Sequence, residues 1–444
     1  MRRERLPRPR RLVHTTGAAW VFGVLLPLAA CGDGGEPLST QAQVTDSAGI
    51  AIVTNPPSDA VYATVAPKPI LSIGAVEGPD EELFGRIASA TRDGAGNFIV
   101  ADRQSGEIRV FDAGGTYLRT LGNSGEGPGE FRALAGAWPA AEGVIVAVDG
   151  RLDRITQFGP EGQLLTTATL RGPGEQPLIT PIRLAGSDAL LSRVQSLNFP
   201  TVVEQGTFSL EDAFEGLSNP RGNRPEYLVR HDLAGALIDT VATVPGQATQ
   251  ISTQDRGANL SIMMIKVPFS AAPVASASPT GRIAVTTGRS YEFSLHGSGG
   301  TLERIVRFAE EPPVRTDAHV EAWVRGGSAS GRGSPDDAQV EATIRRYEET
   351  PMPERLPAWN SLLIADGGEI WARRFAIRGG EAVPRDVFGA DGNYLGQVEV
   401  PANLRIQHIA EGRLTVVSTD DLGVERVEVY ELRLMTSARS TGIP

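Results

Sequence analysis

Short runs that alternate apolar and polar residues recur along most of this chain. The run GNFIVADR at residues 96–103 is typical of a half-buried β-strand. Residues 107–122 contain two such runs around a Gly-Gly turn, which predicts a β-hairpin. Further single strands are predicted at residues 143–150, 189–195, 281–288, 368–375 and 412–419, and further hairpins at residues 155–170, 227–244, 291–308 and 386–400, with one final strand at 425–434.

A loop rich in glycine and proline separates these units. Its clearest copy is LGNSGEGPGEF at residues 121–131. Related segments lie at residues 77–84, 171–178 and, in faded form, 243–247. A phosphate-binding loop would need a helix N-terminus directly after it, whereas the sequence after Phe131 has no helical period. Because the copies recur about every 45–49 residues, we interpret the loop as the connection between structural repeats.

The chain contains six such repeats, and the last repeat lacks its fourth strand. Residues 69–74, PILSIG, have the position of a fourth strand without the three strands before it. A ring of sheets is stable only if the last sheet packs on the first without an exposed edge. We therefore predict an all-β fold, a six-bladed β-propeller closed by this N-terminal strand. The role of another apolar run, at residues 47–56, stays open, and a further strand near the closure is one interpretation.

Two insertions interrupt the repeat, at about residues 198–224 and 314–356. The second insertion contains SPDDAQVEATIRRYEE, in which Ser334 is the predicted N-cap and Pro335 the first helical residue. A partner helix is predicted at residues 316–324. The sequence thus predicts a small helical insertion between blades four and five. It either covers one end of the propeller or acts as a lid or a docking element for a partner.

The N-terminus differs from the rest of the chain. Six arginines precede an apolar run at residues 17–30 that is too short for a comfortable membrane span. The run ends in LAAC, which resembles the bacterial lipobox, and Cys31 is the only cysteine of the chain. The resemblance implies cleavage before Cys31 and its lipid attachment, so that the protein is anchored in the bacterial cell envelope and faces the periplasm or the cell exterior. An ordinary cleaved signal or an uncleaved anchor is the alternative.

The net charge excludes one class of partner. Without residues 1–30 the chain keeps 36 basic and 52 acidic residues. Neutralising the phosphates of a nucleic acid requires a basic surface. We therefore expect no nucleic-acid partner.

The repeat as a whole resembles the NHL-type six-bladed β-propeller, because a strand, an Asp-rich turn, a hairpin and GEGPGEF follow one another. The segments DSAGIAIVTNP and LPAWNSLLIADGGEIWARR are also similar to the bacterial "6-bladed β-propeller" lipoproteins. The implied organisation is a signal peptide at residues 1–30, a flexible tether at 31–43, the propeller at 44–434 and a C-terminal tail at 435–444.

Residues with catalytic potential are few. The histidines are scattered without metal-ligand spacing, no serine has the glycines of a nucleophile elbow, and no acidic position recurs in several blades. Propeller hydrolases of the gluconolactonase type hold a divalent cation over the central channel with oxygen ligands, which is the pattern that an enzyme of this fold would need. We predict no catalytic residue, no metal site and no cofactor.

Arginine gives the clearest indication of a binding site. Arg103, Arg151, Arg289 and Arg374 follow the second strand of blades one, two, four and five, and loops at this point open on the same end of a propeller. A ring of guanidinium groups there could hold an anionic ligand by bidentate pairing. The alternative is an ordinary set of surface arginines, because 40 of the 42 basic residues are arginine.

These observations favour a membrane-anchored extracytoplasmic module that binds a ligand or serves as a scaffold, with a protein, a peptide or a glycan as its unidentified partner. The alternative function is a metal-assisted lactonase or lyase that works at the central channel. Three or more oxygen ligands from different blades at the channel mouth would favour the enzyme.

Overall fold

The computed structural model describes residues 41–172, 177–196, 225–255, 260–327, 336–348, 351–377 and 382–435. These residues form strands β1 (Gln43–Ser47), β2 (Ile50–Asn55), β3 (Ala63–Val65), β4 (Leu71–Ile73), β5 (Ile87–Arg92), β6 (Phe98–Asp102), β7 (Glu107–Phe111), β8 (Tyr117–Leu121), β9 (Asn123–Ser124), β10 (Glu130–Phe131), β11 (Leu134–Pro139), β12 (Ile145–Asp149), β13 (Arg154–Phe158), β14 (Leu164–Thr169), β15 (Pro177–Ala185), β16 (Ala189–Ser196), β17 (Pro225–Asp232), β18 (Leu237–Pro245), β19 (Thr249–Asp255), β20 (Leu260–Lys266), β21 (Val274–Ala277), β22 (Ile283–Thr286), β23 (Glu292–His296), β24 (Leu302–Phe308), β25 (Trp359–Ile364), β26 (Ile370–Arg374), β27 (Ala382–Phe388), β28 (Tyr394–Pro401), β29 (Leu404–Ala410), β30 (Arg413–Thr419) and β31 (Glu425–Leu434), and helices α1 (Asp317–Gly327) and α2 (Asp337–Glu348).

The strands build the six-bladed propeller that the sequence predicts. Blades one to five are the antiparallel sheets β5–β8, β11–β14, β15–β18, β21–β24 and β25–β28. Blade six contains β29, β30 and β31. Within each blade, neighbouring strands pair antiparallel, so successive strands run in opposite directions from the innermost to the outermost.

The N-terminal strand closes the ring. β4 pairs antiparallel with β31, with Ile73 opposite Val427, and completes blade six from the other end of the chain. β3 pairs with the same strand further along, where Ala63 lies opposite Leu434. The predicted closure by residues 69–74 is thus confirmed. It covers the edge that β31 would otherwise expose, and an exposed edge is a site of aggregation.

The apolar run at residues 47–56 does not lie near the closure, so that interpretation is wrong. It belongs to the hairpin of β1 and β2, and β2 pairs in parallel with β24 on the outer edge of blade four. The side chain of Asn55 then joins blades four and five, since its amide nitrogen donates to Gly392 O (2.9 Å) and its oxygen accepts from Tyr394 N (2.8 Å). The run is apolar because it adds an extra strand to one blade.

The core lies between the blades. Second strands such as β6 and β12 are buried at every position, because a neighbouring blade covers each of their faces. The largest aromatic cluster joins blades four and five through Phe293, Trp359 and Phe388. Such continuous burial explains why these strands contain nearly unbroken apolar runs.

Helices α1 and α2 form the predicted insertion between blades four and five. Their apolar residues, among them Val320 and Ile344, pack with Phe269 from the link before blade four. Helix α2 begins later than predicted, because Asp336 caps it by accepting a hydrogen bond from Gln339 N (2.8 Å). Ser334, the predicted N-cap, lies outside the described residues. The β19–β20 hairpin between blades three and four has no counterpart in the sequence prediction, and the predicted insertion at 198–224 also lies outside the described residues.

The loop at residues 121–131 connects blade one to blade two. Glu130 folds back to accept a hydrogen bond from Gly127 N (2.7 Å), and Arg154 donates to the carbonyl oxygens of Glu126, Gly127 and Glu130. Gly122 has φ +70°, and a Cβ there would meet the Phe131 ring at 2.5 Å. The glycines therefore allow a compact, self-contained turn.

A buried aspartate fastens the same connection to the blade. Asp149, at the end of β12, is fully buried. Its carboxylate accepts four backbone hydrogen bonds, from the N–H groups of Arg132 (2.6 Å), Ala133 (3.0 Å), Arg151 (2.7 Å) and Leu152 (2.8 Å). Burial alone would raise the pKa of Asp149, but these donors outweigh burial, so the pKa is lowered from its ordinary value.

Candidate functional site

The alternating strand directions give the propeller two different ends. The turns between first and second strands open on one end, which we call the short-turn end. The turns between second and third strands, together with the links between blades, open on the other, which we call the insertion end. The β19–β20 hairpin and the α1–α2 pair both belong to links between blades and therefore lie at the insertion end.

Three of the four predicted arginines are exposed at the insertion end: Arg103, Arg151 and Arg289. The Arg103 guanidinium donates to Leu134 O (3.1 Å), and Arg289 lines a cavity of about 340 Å³ that Leu356 also lines. Arg103 and Arg289 thus have different surroundings. That the three exposed arginines act together on one anionic ligand stays a prediction.

Arg374 has different surroundings. Its guanidinium makes two hydrogen bonds to the Glu310 carboxylate (2.9 and 3.0 Å), and its Nε donates to the fully buried Asp386 (2.9 Å). The same guanidinium lies over the rings of Tyr291 and Phe308. Burial alone would lower the pKa of Arg374, but the hydrogen bonds to Glu310 and Asp386 outweigh it, and the pKa is raised. Two carboxylates therefore already occupy this guanidinium.

Cys31, the predicted lipid attachment site, lies outside the described residues. Among the described residues, no helix is long and apolar enough to cross a membrane.

All six blades contribute to one cavity of about 320 Å³, at the short-turn end around the propeller axis. We call this cavity the channel mouth. First strands and first turns provide its walls, which include Thr91, Arg92, Asp93, Trp138, Pro139, Arg183, Leu184, Pro279, Asp366 and His408.

The ionisable residues that line this mouth are Arg92, Asp93, Arg183, Asp366 and His408. Among them, Asp366 interacts with both Arg183 and His408. His408 Nε2 lies 2.9 Å from Asp366 Oδ1, and the Asp366 side chain remains partly exposed. Arg183 on β15 and His408 on β29 each follow directly after a β-bulge in the first strand of its blade. A bulge bends the strand and changes the direction of the next side chain.

The guanidinium of Arg183 has no fixed partner among the described residues: no hydrogen bond or ion pair reaches it. Burial within the mouth lowers the pKa of Arg183 to about 10, and the nearby charge of Asp366 opposes this change. At neutral pH the group therefore stays protonated. A half-buried cation without a paired carboxylate is poorly compensated, and an anionic ligand would compensate it.

His408 is poorly placed for acid-base chemistry. Its side chain is 8% exposed, Nε2 is paired with Asp366, and Nδ1 is buried without a partner. Neither ring nitrogen is thus available to a substrate in the mouth. Among the described residues, no group of three or more His, Cys, Asp and Glu side chains is arranged to hold a metal ion.

Part of the sequence matches a known family. Residues 75–171 match the model of DUF5128, described as a 6-bladed beta-propeller. The match covers the strands of blades one and two, together with the loop at residues 121–131. No curated protein matches the sequence.

Solved structures of similar shape include three proteins of low sequence identity. A Bacteroides fragilis protein inferred to be exported is 10% identical, with 87% of this chain and 100% of that chain covered, at a TM-score of 0.44. A member of the DUF4221 family from Bacteroides vulgatus is 10% identical, with 84% and 99% covered, at 0.46. Regucalcin, a calcium-binding protein from Agrobacterium tumefaciens, is 14% identical, with 85% and 97% covered, at 0.40.

Sequence reasoning missed Arg183, Asp366 and His408. The three residues belong to blades three, five and six. Arg183 and His408 lie in no recognisable motif, and Asp366 lies in the family-like segment LPAWNSLLIADGGEIWARR as a turn residue. The one available signal was the position of each residue close to the first turn of its blade, where side chains converge on the axis. The bulges that set their direction depend on strand register, which the sequence pattern does not reveal.

Proposed function

We propose that this protein is an extracytoplasmic ligand-binding propeller, and that the channel mouth takes a small ligand through a carboxylate or phosphate group. The observation that carries the proposal is the Arg183 guanidinium in this mouth, which lies near the charge of Asp366 but receives no hydrogen bond or ion pair from the residues that the structure describes. The mouth is concave, is lined by apolar residues such as Trp138 and Pro139, and contains a few polar groups, as ligand sites commonly do.

The location of the protein is part of the proposal. Lipid attachment at Cys31, with cleavage of residues 1–30 and a tether at 31–43, would hold the propeller at a bacterial envelope membrane. The NHL-type relationship is also part of it, since the order of strands, turns and GEGPGEF loops supports that relationship. Cys31→Ser should move the protein from the membrane fraction to the soluble fraction of its native host. Retention of the variant in the membrane would contradict the anchor.

The insertion end remains available for a protein, peptide or glycan partner in a scaffold role. Helices α1 and α2 bury Val320 and Val340, which supports a role for the insertion as a cover of the propeller end. The enzyme alternative gains no support from the mouth, because neither ring nitrogen of His408 is open.

Isothermal titration calorimetry tests the mouth. The probes are acetate, citrate, glucuronate and inorganic phosphate, each titrated into the mature chain. We expect at least one probe to bind, and Arg183→Met to weaken its binding by about tenfold or more, equivalent to one charged hydrogen-bonded contact. Met keeps much of the side-chain volume and removes the charge.

Arg103→Met is the matched control, because Arg103 is exposed at the opposite end and should not affect this binding. Equal affinity of the Arg183→Met variant and the native chain would contradict the proposal. Absence of heat and of thermal stabilisation with all four probes would contradict it too.

A further inference from the structure

A second cavity, of about 340 Å³, lies between blades five and six. It is distinct from the channel mouth, since it opens where β26 ends and β29 begins, near the insertion end. Its lining residues come from β25, β26 and β27 on one side and from the start of β29 on the other. Three of them are arginines, Arg373, Arg385 and Arg405, and none of the lining residues is acidic.

Strand register brings two of these arginines side by side. Arg373 on β26 lies directly opposite Arg385 on β27, and Ser361 on β25 lies opposite Arg373 from the other side. Directly opposite residues of an antiparallel pair have Cβ atoms about 5 Å apart, and like charges in this position are destabilising. The blade thus holds two positive charges next to each other on one face.

The hydrogen bonds of this pair are made to neutral groups. Arg373 Nη1 donates to Asn360 Oδ1 (3.0 Å), and Arg385 Nη1 donates to Val383 O (2.9 Å). Among the described residues, neither arginine has a carboxylate within salt-bridge distance. Arg385 is only 8% exposed, so water compensates little of its charge.

The pKa values of both guanidinium groups are lowered. Burial, with a smaller contribution from the neighbouring charge of Arg373, lowers the pKa of Arg385 to about 10. Burial also lowers the pKa of Arg373. Arg385 remains charged at neutral pH, and the part of the chain that the structure describes places no carboxylate within salt-bridge distance of it.

Arginines of the second and third strands in two other blades are compensated. Arg109 of blade one is paired with Glu107 at 2.8 Å, and Arg193 of blade three is paired with Glu226 at 3.4 Å. These two arginines thus have carboxylate partners, whereas no carboxylate of the described residues pairs with the two arginines of blade five. Because an uncompensated buried charge is costly, a ligand that supplies the negative charge would account for the arrangement.

Arg405 extends the cluster toward solvent. Its side chain is 52% exposed, and its Nη2 donates to Ile87 O (2.7 Å) and lies 3.4 Å from Glu425 Oε1. The Arg405 guanidinium is thus already held by a carbonyl oxygen of blade one and a carboxylate of blade six, whereas Arg373 and Arg385 have neutral partners.

We propose that this cavity is a binding site for the phosphate group of a small soluble ligand. A carboxylate is satisfied by one guanidinium fork, whereas a phosphate monoester presents three acceptor oxygens and about −1.5 to −2 charges at neutral pH. Two adjacent guanidinium groups, of which Arg385 is buried and Arg373 half-buried, match the phosphate better. This site goes beyond the channel mouth and does not depend on it.

Calorimetry in a buffer free of phosphate and sulfate tests the site, with inorganic phosphate, glycerol 3-phosphate and succinate as probes. We expect both phosphates to bind, and succinate to bind at least about tenfold more weakly. Arg373→Met and Arg385→Met should each lower the phosphate affinity by about tenfold or more. Arg385→Lys should retain part of it, because Lys keeps the charge but loses the planar fork.

Two control variants distinguish this cavity from the channel mouth and from the exposed surface. Arg413→Met removes an exposed charge of blade six and should not change the binding of glycerol 3-phosphate. Arg183→Met removes the charge of the channel mouth, and in that background Arg385→Met should still lower the remaining phosphate affinity. Thermal unfolding without ligand shows whether each variant is folded. Absence of phosphate binding by the native chain, or equal binding by a folded Arg385→Met variant, would overturn the proposal. Binding to phosphatidic acid vesicles without binding of glycerol 3-phosphate would also overturn it, because the ligand would then be a membrane lipid.

Discussion

Arg373 and Arg374 are neighbours in sequence and lie on opposite faces of the same strand. Arg374 shares its face with Ala372, which packs in the cluster between blades four and five, whereas Arg373 shares its face with Trp371, which packs toward blade six. Arg374 meets Glu310 and Asp386, and its pKa is raised. Arg373 meets Arg385, and its pKa is lowered.

The difference separates two uses of a buried charge. On the Arg374 face, the protein supplies both signs and obtains a fixed connection between blade five and the link that follows blade four. On the Arg373 face, the described residues give the two guanidinium groups neutral hydrogen-bond partners, and the proposed phosphate would supply the negative charge. The first arrangement stabilises the fold, while the second lowers stability in the absence of a ligand.

The largest expected effect on the free energy of unfolding comes from removing Asp386, one of the two carboxylates that compensate the charge of Arg374. Asp386 is fully buried and accepts hydrogen bonds from Trp359 Nε1 (2.8 Å), Gln397 Nε2 (3.0 Å) and Arg374 Nε (2.9 Å). Asp386→Ala should lower the free energy of unfolding by about 4 kcal/mol, because it leaves a half-buried guanidinium with one carboxylate and the other donors unpaired. Urea denaturation measures this change.

Two further variants serve as a control and a rescue for the Asp386→Ala measurement. Asp391→Ala removes an exposed turn aspartate of the same blade and should cost well under half as much. Adding Arg374→Met to Asp386→Ala should recover part of the loss, since it removes the charge left behind. A loss no larger than that of the Asp391 variant would show that the compensated face contributes little.

A smaller effect is expected where backbone groups compensate a charge. Asp149→Asn should lower the free energy of unfolding by about 2 kcal/mol at neutral pH, because a neutral amide accepts the four backbone N–H groups less well. The pKa of Asp149 is lowered in the folded state. Its contribution is therefore complete above the ordinary value of 3.8 and is lost as the pH falls through the lower folded pKa.

The difference between the native chain and Asp149→Asn should accordingly shrink in acid. Denaturation at a series of pH values measures it. A difference that stays constant below the ordinary pKa would mean that the charge of Asp149 is not what holds the link. Asp391→Asn provides the exposed comparison within the same protein.

On the face of Arg373 and Arg385, removal of a charge should raise the free energy of unfolding instead of lowering it. Arg385→Met should raise the free energy of unfolding by about 1 kcal/mol in buffer without phosphate, because an apolar side chain of similar length removes an unpaired buried charge. Urea denaturation without inorganic phosphate measures the stability change caused by Arg385→Met, and denaturation with phosphate measures how much each protein is stabilised by the anion. The native chain should gain stability from phosphate, and the variant should gain little. A destabilised variant in phosphate-free buffer would contradict the view that this charge is uncompensated.

The sequence predicted the arrangement of blades because each blade repeats a period-two pattern and its links repeat their glycines. It also predicted the closure by residues 69–74, since one strand was missing at the end and one was unassigned at the start. It could not predict that β2 joins blade four, because a parallel pairing with an outer edge leaves no local signal. The charged sites depend on the same kind of long-range information: Glu310 is 64 residues away from Arg374, and the Arg373–Arg385 pair follows from register alone.

The smallest expected effect tests that pairing directly. If Arg373 and Arg385 repel each other, either Arg373→Met or Arg385→Met alone removes that repulsion. The double variant cannot remove it a second time. The two single gains in the free energy of unfolding should then exceed the gain of the double variant by about 0.5 kcal/mol. A cycle that combines Arg385→Met with the remote Arg103→Met should be additive. In saturating phosphate this difference between the summed single effects and the double effect should change sign. Either single variant already loses the stabilisation by the shared anion, so the second substitution causes no further loss of phosphate binding. Additivity in both conditions would mean that the two guanidinium groups act independently, and the cavity would then be no joint site for one phosphate.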